Sequence, residues 1–134
     1  MIIEIIILFV LDALWITLQK KRYDNLIKAV QKTKLSVNMI GAVVAYILMV
    51  IGLLTFVIPN VNKSENKVIA SLKYGGLYGL TVYGIFNATN VAIFKNYNPM
   101  TAIIDTLWGT TLFILVPLIS SYINQFLRNH RRHL

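Results

Sequence analysis

"IIEIIILFVLDALWITLQKKR", residues 2–22, decides the class of the fold. From residue 2 to residue 19 almost every side chain is apolar, and as a helix rising about 1.5 Å per residue the run nearly spans the ~30 Å hydrocarbon layer of a bilayer. The bases Lys20, Lys21 and Arg22 follow the run instead of preceding it, and no small-residue cleavage site stands before them. That order predicts an uncleaved membrane anchor and not a secretory signal.

Three further apolar runs lie at residues 36–58, 68–94 and 99–126. The chain of 134 residues is 57% hydrophobic and only 13% charged, with a mean hydropathy of +0.66, well above a soluble domain. The alternating pattern that a membrane barrel needs is absent. The expectation is therefore all-α: a four-helix transmembrane bundle forming a single integral membrane domain over 1–134, with a basic loop at 20–35 and a basic C-terminal tail at 127–134.

Local signals refine this outline. Pro59 with Asn60 is expected to end the second helix. Asn98 before Pro99 has the form of an N-cap with proline in the first helical position, and Pro117 inside the fourth run predicts a kink. In the basic segment, Tyr23, Leu26, Ile27 and Val30 fall at helical spacing. This fits either an amphipathic helix against anionic lipid headgroups or a solvated loop. Bases following the first run favour an N-terminus outside.

Within the first run, "VLDALW" (Val10–Trp15) is echoed by "IIDTLW" (Ile103–Trp108) in the fourth. Of five acidic residues, Glu4, Asp12 and Asp105 fall in apolar runs. A central aspartate costs roughly 2.5–3.5 kcal/mol on insertion, against about 0.3–0.6 gained per Leu, Ile, Val or Phe. Asp12, ten residues into its run, belongs near the midplane, and Asp105 two turns into its own, so the two are expected at different depths. Glu4 is near enough to an end to reach the interface. A carboxyl at the depth of Asp12 takes a proton or finds donors.

The third run supplies donors. Gly76, Gly79, Tyr83, Asn87 and Asn90 recur every three or four residues, forming one small-and-polar face, and Gly75 with Gly79 makes a GxxxG pair suited to close helix approach. Trp15 and Trp108 each stand one turn from an aspartate, where an indole N–H can serve that carboxylate or mark the interface. These polar groups can equally be read as structural glue between helices, worth about 0.6 kcal/mol a bond.

Much chemistry is excluded. There is no cysteine, and both histidines, His130 and His133, fall in the terminal "RNHRRHL", so no metal-ligand spacing exists. No cofactor motif, serine elbow or phosphate loop is present. The net charge of +8 sits between apolar runs and not on a soluble face, which argues against nucleic acid.

"LDALW", "NATNVA" (Asn87–Ala92) and "DTLWG" (Asp105–Gly109), in that order, resemble the family of small membrane proteins known as domain of unknown function 2177. In that family the third-run motif commonly reads as an aspartate followed by x-Thr-Asn-Leu-Ala. Thr89, Asn90 and Ala92 match it, and Asn87 stands where the family has a carboxylate. The resemblance implies a multi-pass membrane fold and, by association with lipid-modifying genes, a connection to membrane-lipid metabolism.

The expected binding set is Asp12, Trp15, Tyr83, Asn87, Thr89, Asn90, Asp105 and Trp108, with no catalytic residue assigned. The leading expectation is a buried Asp/Asn site that binds or conducts a proton or small cation. Four helices are few for a pore, which predicts a homo-oligomer. The alternatives are an intramembrane lipid-modifying enzyme or accessory factor, and a structural membrane scaffold.

Overall fold

The protein is described by a computed structural model covering residues 1–131. Arg132 and His133, at the end of the basic tail, lie outside the described residues. The described chain is all-α with five helices: α1 (Ile2–Leu18), α2 (Lys20–Gln31), α3 (Met39–Lys63), α4 (residues 67–93) and α5 (Pro99–Arg131).

The expectation of a four-helix transmembrane bundle is corrected. α3 and α5 are the helices long and apolar enough to cross a membrane, and the bent pair α1 and α2 adds a third span if it acts as one. α1 is short at 17 residues. α4 is long, but Lys73, Asn87, Asn90 and its tyrosines and glycines dilute its apolar character. The same polar face that makes α4 interesting disqualifies it as a self-sufficient span.

α2 settles the open reading of the basic segment in favour of helix over 20–31. Where the composition turns from isoleucine to lysine, the axis bends by 69°. Leu26 is buried on its apolar side, while Lys20, Lys21, Arg22 and Lys28 are exposed. Lys32 ends the helix in a left-handed conformation, φ 60.

α3 begins at Asn38, whose side-chain oxygen accepts the Gly41 N–H at 3.1 Å. Contrary to expectation, Pro59 does not end it. A π-turn at Leu53–Val57 precedes the proline, which stands at the start of the segment Ile58–Lys63 where a missing N–H costs least. α4 carries a matching π-turn at Ser71–Gly75. Asn98 caps α5 as expected, accepting the Thr101 N–H at 3.1 Å.

α4 and α5 pack antiparallel through a glycine seam. A Cβ at Gly75 would overlap the Phe113 carbonyl oxygen, and one at Gly79 would overlap that of Gly109. Pro117 lies four residues beyond Phe113 and has no N–H to give its carbonyl. The backbone at Gly75 therefore lies against the carbonyl whose usual i+4 donor the proline removes. Leu8, Leu53, Val57, Leu112, Phe113 and Val116 fill the core, with the Tyr78 and Phe113 rings edge to face at 4.7 Å. The first half of α3 leans away, most of its side chains exposed.

Candidate functional site

Asp12 and Asp105 converge. Asp12 stands six residues before the end of α1 at Leu18, and Asp105 six residues after the start of α5 at Pro99. Because these helices run antiparallel, both carboxylates sit about 9 Å from the same end. The expectation of different depths measured Asp12 from the wrong end of its helix.

Asp12, 6% exposed, draws donors from three helices. The Tyr46 hydroxyl of α3 donates at 2.5 Å, the Trp108 indole N–H of α5 at 3.1 Å, and the Tyr83 hydroxyl of α4 approaches to 3.5 Å. Asp105 accepts from the Tyr23 hydroxyl of α2 and from the Asn87 amide at 2.8 Å. Trp15 in turn donates to the Tyr23 oxygen at 3.0 Å.

The two tryptophans thus serve each other's carboxylate. Trp108 donates to Asp12, and Trp15 reaches Asp105 through Tyr23, whereas the sequence suggested an indole for its own aspartate. Side chains three apart on one helix project side by side, and antiparallel packing sets each indole across from the other helix's aspartate. The rings stack at 4.6 Å and 5°, closing the pair.

Asn87, 1% exposed, is held in one orientation. Its oxygen accepts from Tyr97 at 3.1 Å, so its NH2 faces the Tyr83 carbonyl at 3.0 Å and Asp105. Burial lifts the Tyr97 phenol above its ordinary value, so it remains a donor at neutral pH. Of the expected set, Asp12, Trp15, Tyr83, Asn87, Asp105 and Trp108 come together. Asn90 is half-buried and Thr89 exposed on α4.

Sequence reasoning missed Tyr46, Tyr23 and Tyr97 as site residues. Tyr46 was findable as the one tyrosine of the second apolar run; Tyr23 falls in the apolar stripe of the basic segment. Glu4 also departs from expectation, being 2% exposed and paired with the Met1 ammonium. Asp105 also helps line an apolar pocket of about 360 Å³ between α3 and α4, walled mainly by Leu48, Met49, Tyr78, Val82 and Phe86. Among the described residues no cluster of three His, Cys, Asp or Glu side chains could hold a metal.

Residues 1–122 match the family described as "Predicted membrane protein (DUF2177)", and the chain belongs to that family. It is an integral, multi-pass membrane protein whose buried aspartates form a polar hydrogen-bond network. No curated protein and no solved structure matches it.

Proposed function

We propose that the Asp12 and Asp105 network is a reversible proton-binding site through which the protein binds or conducts a proton or small cation. The observation that carries this reading is the character of the partners. Phenol O–H, indole N–H and amide N–H groups meet the two carboxylates, while the ion pairs of the described residues lie elsewhere, at Met1 with Glu4 and Lys20 with Asp24.

Carboxylates held only by neutral donors in a desolvated setting retain a drive to take up positive charge. Tyr46 and Tyr23 are suited to relay it, because a hydroxyl both donates and accepts. Asp12 and Asp105 are the titrating groups in this reading. Tyr83, Asn87, Trp15 and Trp108 hold them, Asn90 continues the polar face of α4 toward its end, and Thr89 stands exposed between the two asparagines. A second copy against the open half of α3 would supply the walls of a conducting path, and the basic segment 20–35 rests on anionic headgroups.

The test is flux into liposomes, read with a pH-sensitive dye and with a sodium-sensitive dye, for the wild type, Asp12→Asn and Asp105→Asn. The wild type should pass one of the two species, and either substitution should lower that flux at least tenfold in protein that still folds. No flux from the wild type, or flux unchanged in both variants, overturns the proposal.

The apolar pocket that Asp105 helps line favours a second reading, in which an acyl chain lies beside a carboxylate during lipid modification. Expressing cells would then show an altered lipid profile that Asp105→Asn restores. An unchanged profile dismisses it.

A further inference from the structure

We infer that the cavity between α2 and the turn at residues 94–98 binds the phosphate of an anionic phospholipid headgroup. The inference rests on the reading of the basic segment against headgroups and gives it a specific seat. The cavity encloses about 510 Å³. Lys21, Arg22 and Asn25 wall it on the α2 side, and Asn96, Asn98 and Thr101 on the other; no carboxylate lines it.

The two bases are not committed elsewhere in the way their neighbour is. Lys20 is paired with Asp24 at 2.6 Å. Arg22 uses its Nε on the Gln19 side chain at 2.9 Å, which leaves the terminal N–H groups of the guanidinium for a phosphate oxygen. Lys21 makes no ion pair or hydrogen bond among the described residues. A guanidinium, an ammonium and side-chain amides around one space form a donor set that matches a phosphate.

The source of the phosphate follows from the floor and the position. Leu18 and the buried Leu26 line the same cavity, offering apolar contact for the glycerol and the first chain carbons. The cavity opens where α1 gives way to α2 across the 69° bend, and Leu18 there is 77% exposed. A soluble phosphate has no use for this apolar edge, whereas a lipid brings its own.

The helix that carries the cationic wall also carries Tyr23, the donor to Asp105. A headgroup bridging α2 to the start of α5 holds Tyr23 on that carboxylate. Lipid composition then sets how firmly the site is assembled.

The protein reconstituted in phosphatidylcholine, with trace spin-labelled phosphatidylglycerol or phosphatidylcholine, reads the preference from the motionally restricted fraction of each label. The wild type should prefer phosphatidylglycerol. Lys21→Gln and Arg22→Gln should each lower that preference about fivefold, the equivalent of one surface base, and Lys21→Arg should keep it. Lys32→Gln with Lys34→Gln, which removes twice the charge of either variant but outside the cavity, should cost far less.

Equal loss in that control pair means a diffuse basic surface and overturns the inference, as does the absence of any preference. Displacement of the lipid by inorganic phosphate would make the cavity a soluble-anion site and overturns it too. Asp12→Asn, which leaves the Tyr23 bond to Asp105 in place, should keep the lipid preference, so failure of the proton reading leaves this measurement interpretable.

Discussion

Asp12 is held by side chains of three different helices, and Tyr46 is the member that reaches it from the loosely packed half of α3. Stacked at 4.7 Å on Phe9, it ties that half of the helix to α1. Tyr46→Phe keeps the ring and the stacking but deletes the donor. The expected loss is about 0.6–1.7 kcal/mol of stability, the range for hydrogen bonds inside membrane proteins, measured by unfolding in detergent. No loss would mean that the hydroxyl finds equal partners in the unfolded state. The aspartates and Asn87 were legible in the sequence because a costly polar group in an apolar run stands out. The tyrosines were not, because Tyr46 is of a type common in membrane segments and Tyr23 and Tyr97 stand outside the apolar runs. The crossing of the two indoles was hidden as well, since it depends on which helices run antiparallel.

At the scale of elements, the α4 and α5 seam makes the sharpest demand. Gly75→Ala drives a methyl into a backbone carbonyl, and neither helix can yield without moving the other; about 1–3 kcal/mol should be lost. Gly84 provides the contrast, since its Cβ would sit 3.8 Å from the Thr106 methyl in ordinary contact. Gly84→Ala should be neutral or stabilising by up to about 1 kcal/mol from helix propensity. Thermal unfolding of the two variants side by side checks this, and equal effects would refute the seam. The four apolar runs did become helices within a few residues. Two ends moved: a π-turn let α3 absorb Pro59 and run on to Lys63, and α5 continues past residue 126 to Arg131, into the segment expected as a basic tail. What the runs could not reveal is that crossing ability and helix formation part company at α4, where packing against α5 replaces lipid solubility.

For the whole molecule, α3 is long and apolar enough to cross the bilayer, which would set the segment holding α2 and the turn between α3 and α4 on opposite sides. The chain has no cysteine, so single cysteines at Lys28 and Glu65 can be labelled without background. An impermeant maleimide should reach them from opposite sides. An outside N-terminus, the orientation expected from the bases after the first run, predicts that Lys28→Cys reacts from the cytoplasmic side; labelling of both from one side would contradict the fold. The central claim joins two carboxylates, four helices and α2 into one protonation-sensitive unit. Its most direct test uses the only two tryptophans, Trp15 and Trp108, one bonded to Asp12 and the other linked to Asp105 through Tyr23. Tryptophan emission followed through a pH titration in nanodiscs should show one reversible step in the wild type, absent in both Asp12→Asn and Asp105→Asn. A step that survives both substitutions, or no step in the wild type, would contradict the account.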